Sequence, residues 1–344
     1  MSAWAADGLE RVEGCPACGA RGRSTLHEGL TDPLFGAPGE WTLWRCAGCE
    51  SGYLDPRPTP ATIGRAYSDY FTHEEPVGEE PRGRIGRLRR RAMHGYLNAR
   101  YGYGLRDAAA WGSRGLALMP RVPVLTDRWV RHVHRGGGPA RVLDVGCGNG
   151  VFLLRMRDLG FDVRGIDVDA AALEEAERAG LAVRRATLSD LDPAEESYEA
   201  ITLGHVIEHL HHPGETMRKA HALLSPGGML WVATPNIDAV AHHAFGPHWY
   251  GIDAPRHLTV FSQRGLAALL SEAGFARVEQ LDPVPGAANS FPPSAAIARG
   301  LNPLEVQPRL PLTLRARALA ADLANPWRSG VAEELVFAGW RVPA

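Results

Sequence analysis

Arg141-Val142-Leu143-Asp144-Val145-Gly146-Cys147-Gly148-Asn149-Gly150 is the stretch on which the fold turns. It opens with a short apolar run, which suits a buried parallel strand. It then passes through Gly146, Gly148 and Gly150 into residues 151–160. There Phe152, Met156 and Leu159 recur at helical spacing, and Gly160 supplies a C-terminal stop. A glycine turn between strand and helix lets the backbone approach a ligand closely. The pattern is Asp-x-Gly-x-Gly-x-Gly, whereas the dinucleotide fingerprint is Gly-x-Gly-x-x-Gly. The next strand-like segment, 161–167, ends in Asp167, whose carboxylate can accept hydrogen bonds from both hydroxyls of a ribose.

Outward from this stretch, strands and helices alternate. Asp169 caps a helix over 170–179 that Gly180 ends. Residues 181–186 and 198–204 read as the third and fourth strands. A helix fits 215–224, stopped by Ser225-Pro226-Gly227-Gly228, and 229–234 is the fifth strand. Ser262 caps a helix running to Gly274, and 278–281 and 334–340 finish the sheet. This order implies an α/β fold with a doubly wound, Rossmann-like, mostly parallel sheet and ligands at the carboxyl ends of its strands. Residues 283–330 are rich in proline and alanine, and the sequence assigns them no role.

Four of the five cysteines form two pairs, Cys15-Pro16-Ala17-Cys18 and Cys46-Ala47-Gly48-Cys49, separated by 27 residues. Two such pairs can surround one structural zinc tetrahedrally, and four thiolates leave no open position for catalysis. The start of the chain lacks a basic end followed by an apolar core, so no signal peptide is expected and disulfides are disfavoured. Trp41-Thr42-Leu43-Trp44-Arg45, between the pairs, alternates like a strand. A proline-rich exit follows at 55–60. The expected organisation is a zinc ribbon over 1–60 and a helical linker or substrate-cap region over 61–135. A core follows over 136–344, with a lid at about 237–262 and a variable segment at about 283–330. Gly136-Gly137-Gly138-Pro139 marks the boundary before the core.

The totals exclude several classes. The chain has 344 residues, 45 % hydrophobic and 22 % charged, with a net charge of -2. No global field therefore attracts nucleic acid. No run of about 18 apolar residues occurs, so no spanning helix is expected and a cytoplasmic protein is implied. The segment 82–91 carries many arginines. It fits contact with a phosphate-bearing substrate or weak peripheral contact with an anionic membrane. The preferred reading is plainer, a solvated helix face balanced by Glu74, Glu75, Glu79 and Glu80.

The glycine turn and Asp167 resemble motif I and the strand-two acid of class I S-adenosylmethionine (SAM) methyltransferases. The two cysteine pairs resemble the zinc-ribbon heads of a group of bacterial members. The element Trp249-x-x-x-Asp253-x-Pro255-Arg256-His257-Leu258 resembles the same zinc-headed, methyltransferase-23-like enzymes. His205-Val206-Ile207-Glu208-His209-Leu210 resembles the Glu-His-Leu element after strand four in ubiquinone-biosynthesis-like methyltransferases, which place it beside the SAM sulfur. These resemblances imply SAM contacts at Asp144, Gly146, Cys147, Gly148, Asn149, Gly150, Asp167, Val168, Leu188, Gly204 and His205. They also imply a structural zinc on Cys15, Cys18, Cys46 and Cys49. A small-molecule acceptor with a hydroxyl or an acidic carbon needs a base. His257, in the expected lid, is the first candidate, with His205 and His209 behind it.

Three other functions compete with this reading. An RNA methyltransferase gripping RNA with its ribbon meets a ribbon whose main cations are only Arg21, Arg23 and Arg45. It also lacks an Asn/Asp-Pro-Pro-aromatic element after the fourth strand. A His-x-x-Glu-His zinc peptidase would use His205 and His209, but that segment follows a strand rather than lying in a long helix. A scaffold with a degenerate SAM domain sits poorly with the intact glycine turn.

Overall fold

The computed structural model describes residues 4–67, 83–117, 121–135, 140–324 and 329–343. Arg82, the acidic run Glu74, Glu75, Glu79 and Glu80, and the boundary 136–139 lie outside the described residues. The chain opens with strands β1 (Leu9–Glu10), β2 (Arg23–Leu30), β3 (Trp41–Cys46), β4 (Gly52–Leu54) and β5 (Arg57–Pro58). Helices α1 (Gly83–Tyr101), α2 (Gly112–Ala117) and α3 (Arg121–Trp129) follow. Next come β6 (Arg141–Val145), α4 (Val151–Asp158), β7 (Asp162–Asp167), α5 (Ala170–Arg178), β8 (Val183–Arg185) and β9 (Tyr198–Gly204). The middle of the chain holds α6 (Pro213–Leu223), β10 (Leu224–Pro235), α7 (Val240–Phe245), β11 (Thr259–Val260) and α8 (Gln263–Glu272). It closes with β12 (Arg277–Gln280), α9 (Ala287–Ile297), α10 (Leu312–Ala324) and β13 (Glu334–Trp340). None of these helices is long and apolar enough to cross a membrane.

The elements form two compact units. One comprises Met1–Phe71, Gly204–Arg218 and Val232–Gly339; the other comprises Thr72–Leu203, Lys219–Trp231 and Trp340–Ala344. Strand β10 begins in the second and ends in the first.

The second unit carries the parallel strands β9-β6-β7-β8, paired in that order. Strand β6 pairs in parallel with β7 from Arg141↔Asp162 to Val145↔Ile166, and with β9 from Val142↔Ala200 to Val145↔Leu203. Val142, Leu143 and Val145 are all buried, as expected of a strand covered on both faces. Helix α4 buries Phe152, Leu153 and Met156, and Gly160 (φ 89°) ends it in the left-handed region. The Asp169 side chain accepts from the Ala171 and Ala172 amides and so caps α5.

In the first unit, Trp41 and Leu43 of β3 are buried while Thr42 and Trp44 are half-buried, the period of two that a one-sided sheet requires. Strands β2, β3 and β4 pair antiparallel. Strand β11 then adds to β4 through Thr259↔Tyr53 and Val260↔Gly52, giving the order β11-β4-β3-β2. The segment expected as a lid is therefore fastened to the ribbon. The Ser262 hydroxyl donates to the Cys49 carbonyl at 2.5 Å, and the Ser262 amide donates to Ser51 Oγ at 3.0 Å. Trp249 and Ile252 share one core cluster with Trp41, Leu43 and Phe291. The stretch 283–330 supplies α9 and α10. Asp322 of α10 accepts from the Ala287 and Ala288 amides (2.9 and 3.1 Å), satisfying the exposed donors at the start of α9.

Candidate functional site

The glycine turn lies between β6 and α4. Gly146, Gly148 and Gly150 all have positive φ (69°, 53° and 81°), which side-chain-bearing residues rarely adopt. Gly150 has no room for a side chain either, since a Cβ there would come within 2.3 Å of Leu181 Cδ1. At Gly148 a Cβ would meet nothing within 4 Å. The turn thus offers bare backbone on an open side and packs tightly on the other. Its amides are tied back, with Gly146 and Cys147 both donating to the Ile166 carbonyl (2.8 and 3.1 Å).

Asp167, at the end of β7, accepts from the Gly148 amide at 2.8 Å and from the Asp169 amide at 2.9 Å. The carboxylate is therefore fixed in orientation beside the turn. Val168 next to it is largely exposed, and Leu188 is buried in a short turn after β8. Cys147 is buried, and burial pushes its thiol up, so it stays neutral.

Asp144 is buried and does not face the turn alone. Arg131 donates to its carboxylate and also to Thr202 Oγ1 (2.9 Å), while Thr202 donates to Asp144 at 2.8 Å. The Arg131 guanidinium lies 3.8 Å from the Phe152 ring centroid. Burial pushes the Asp144 carboxyl up, against the pull of Arg131 and Thr202. Both Arg131 and His132 take positive φ (51° and 54°), a bend that directs Arg131 inward. The sequence carries no signal for Arg131, because neither glycine nor spacing marks the bend.

In the first unit, Gly204 ends β9 and His205 (φ 56°) turns the chain into a single 3-10 turn, Ile207–His209. A single turn is not the long helix on which a peptidase pair would be displayed. His205 Nδ1 is 3.4 Å from Glu208 and Nε2 is 3.4 Å from Glu334. Burial would lower this imidazole, but the two carboxylates outweigh it and raise it to about 9. His205 is thus an imidazolium at neutral pH. Glu208 is fully buried and accepts from Thr234 Oγ1 at 3.0 Å. Burial would raise its carboxyl, yet His205, with the nearby His209 and His257, holds it down to about 2.

His209 and His257 differ from His205. The His209 Nδ1 lies 3.0 Å from both the Arg256 carbonyl and Tyr67 Oη, and the His257 Nδ1 lies 2.9 Å from the Gly251 carbonyl. A carbonyl accepts only from N–H, so each ring carries a proton on Nδ1, while the His257 Nε2 lies 3.8 Å from the Asp253 carboxylate. Burial and the neighbouring His257 lower the His209 imidazole, which keeps it neutral. The rings are 4.8 Å apart. One ligand atom each from Glu208, His209 and His257 falls within 4.8 Å of the others, a spacing that also fits a cation. Arg256 holds this corner. It is fully buried, donates twice to Asp32 (both 2.7 Å), and pairs with Asp253 at 2.6 Å. Trp249, by contrast, is 2 % exposed and stacks on His242.

The four ribbon cysteines converge. Cys15 and Cys49 sulfurs are 3.6 Å apart, as are those of Cys18 and Cys46, and all four lie within 4.8 Å. Tetrahedral thiolates on zinc at about 2.3 Å would stand about 3.8 Å apart, so the group fits. The Gly48 and Cys49 amides donate to the Cys46 sulfur (3.3 and 3.5 Å), as donors to a thiolate should.

Comparison with known proteins bears on this geometry. The family described as "Methyltransferase domain" matches residues 123–280. The ubiquinone biosynthesis O-methyltransferase of Paraburkholderia phymatum is 34% identical over 119 residues, covering 32% of this chain and 50% of that protein. That of Pseudomonas aeruginosa is 32% identical over 109 residues, covering 30% and 47%. The chain therefore spans about half the length of the curated relatives it matches. Among solved structures, a SAM-dependent methyltransferase from Thermotoga maritima, a possible histamine N-methyltransferase, aligns with a TM-score of 0.42. It is 16% identical and covers 72% of this chain and 99% of its own. A SAM-dependent methyltransferase from Mesorhizobium loti gives 0.42 at 18% identity, covering 62% and 95%. The span matched by the methyltransferase-domain family, residues 123–280, takes in the Asp-x-Gly-x-Gly-x-Gly turn and the fixed Asp167.

Proposed function

We propose that the chain methylates a small-molecule acceptor at oxygen or carbon, using SAM, in secondary-metabolite, glycan or quinone-type biosynthesis. The observation that carries this reading is the open glycine turn with Asp167 locked beside it. Asp144, Gly146, Cys147, Gly148, Asn149 and Gly150 would hold the methionine end. Asp167 would take the ribose, and Val168 and Leu188 the base. When bound, SAM supplies an electrophilic methyl group on a sulfonium. The protein's part is alignment, which can contribute about 7–11 kcal/mol. It must also remove a proton from the acceptor. His209 is the better base, because its Nε2 is unprotonated and its tautomer is set by the Arg256 carbonyl. His257, with Nδ1 on the Gly251 carbonyl and Nε2 3.8 Å from Asp253, stands second. His205, held as a cation, would stabilise negative charge instead. The four cysteines would hold a structural zinc.

The test is calorimetry with SAM on the wild type and on Asp167→Ala. A lost hydrogen bond to a charged group is worth about 1.5–3 kcal/mol, so affinity should fall at least about tenfold. Wild-type protein that binds no SAM, or a variant of unchanged affinity, defeats the proposal. Salt-dependent binding of single-stranded RNA, tighter than any response to small acceptors, would move it to an RNA methyltransferase.

A further inference from the structure

Residues 83–117 contain eight arginines and one acid, Asp107, a net charge of +7 within a chain of net -2. They form the α1–α2 hairpin. Its arms are in close contact, since a Cβ on Gly112 would lie 2.1 Å from the Ala92 carbonyl oxygen and one on Gly95 2.0 Å from that of Ala109. The Ala109 amide donates to the Arg91 carbonyl at 2.8 Å. Trp111, beside Gly112, therefore lies next to the middle of α1, near Arg91 and Ala92.

Asp107 pairs with Arg90 and Arg91 (3.4 and 3.1 Å), and Arg100 pairs with Asp127 of α3. Arg84, Arg87 and Arg89 are exposed and have no ion pair among the described residues. Between them stand Ile85 and Leu88, 72 % and 53 % exposed, and Trp111 is 50 % exposed. Ile85 and Leu88 are three residues apart and so share one helix face, with Arg84 and Arg89 to either side. Exposed aliphatic and indole side chains ringed by arginine are the pattern of a helix lying in a membrane interface. A patch serving only as a solvated face would not need the apolar tips, and a phosphate-binding groove would not place them outermost.

We propose that the first half of α1, with Trp111 beside the helix's middle, docks on an anionic phospholipid bilayer. The arginines meet lipid phosphates, and Ile85, Leu88 and Trp111 enter the headgroup region. This surface is independent of the methyltransferase reading and stands or falls by itself.

The experiment is co-sedimentation of the full chain with vesicles of phosphatidylcholine containing phosphatidylglycerol, against phosphatidylcholine alone. The expected result is binding to the anionic vesicles only, reversed by about 1 M salt, where the screening length falls to about 3 Å. At roughly fivefold per arginine, the triple variant Arg84→Gln, Arg87→Gln, Arg89→Gln should bind on the order of 100-fold more weakly. The corresponding lysine variant should retain binding. Ile85→Ser with Leu88→Ser should weaken binding without changing its salt dependence. Circular dichroism and the thermal midpoint check that each variant is folded. No binding at low salt, equal binding to both vesicles, or an unaffected triple variant overturns the proposal. Release of bound protein by a short RNA at equal phosphate concentration overturns it in favour of a nucleic-acid surface.

Discussion

Replacing Asp32 by alanine tests how the histidine corner is held. Asp32 accepts two bonds from the fully buried Arg256, each 2.7 Å, and also the amides of Leu34, Phe35 and Ala37 (3.0, 3.2 and 3.0 Å). Asp253 and the Ala66 carbonyl remain for Arg256 in the variant, but Nη1 and Nη2 each lose a carboxylate acceptor. Two charge-assisted bonds at about 1.5–3 kcal/mol each give about 3–6 kcal/mol, and breaking a buried pair is worth about 3–5 kcal/mol. Urea denaturation at neutral pH should show a loss in that range with an unchanged slope. The pH dependence has a definite sign. Burial would raise the Asp32 carboxyl, but the guanidinium holds it below its ordinary 3.8. Its contribution is therefore present above about pH 4 and is lost as pH falls through the depressed folded value. The gap between wild type and variant should close only in that acid window. Asp32→Leu with Arg256→Met, which removes both charges, should be more stable than Asp32→Ala alone. A loss under about 1 kcal/mol for Asp32→Ala would refute the clamp and show that Asp253 alone suffices.

Other outcomes follow from the same geometry. Gly150→Ala meets both a positive φ and Leu181 at 2.3 Å, so it should destabilise the fold by more than about 1 kcal/mol and weaken SAM binding, read by thermal unfolding and calorimetry. His205 should titrate near pH 9 by NMR, and its contribution to stability, full below about pH 6.5, should be lost as pH rises through that value. Titration at the ordinary 6.5 would refute its pairing with Glu208 and Glu334. Elemental analysis should find one tightly held zinc per chain that Cys46→Ser abolishes; zinc surviving loss of all four cysteines would point to Glu208, His209 and His257.

What the sequence discloses is what is local. The glycine turn, the capping Asp169, the alternation of Trp41 to Cys46 and the final strand Glu334–Trp340 are each written within a few residues, because backbone conformation and side-chain period are local constraints. The convergence of four cysteines is legible for a related reason, since each pair needs only a tight turn. What was not legible depends on separation along the chain. The segment 246–262 has the composition of a mobile cover, with aromatics, histidines, glycine and proline. Nothing within it says that Thr259 and Val260 will pair with Tyr53 and Gly52 some two hundred residues earlier. Arg131 and Glu334 were missed on the same ground, each acting on a residue far from it in sequence.

That separation also explains why position along the chain does not by itself rank the three histidines. Placement in the expected lid favours His257, but a base is defined by which nitrogen is free and what charge surrounds it. Those properties come from partners contributed elsewhere: the Arg256 carbonyl and Tyr67 for His209, and the two glutamates for His205. The strained φ of His205 belongs with this arrangement, since it turns the side chain between Glu208 and Glu334 at the end of β9. The three histidines are therefore chemically unequal: His205 stands between two carboxylates, His209 is a neutral ring held through Nδ1 by the Arg256 carbonyl, and His257 lies between the Gly251 carbonyl and Asp253. A design that exchanged their surroundings, by Glu334→Gln for example, should return His205 toward its ordinary titration while leaving the tautomer of His209 unchanged. NMR of both rings would reveal this, and a coupled shift of His209 would show that the cluster titrates as one unit.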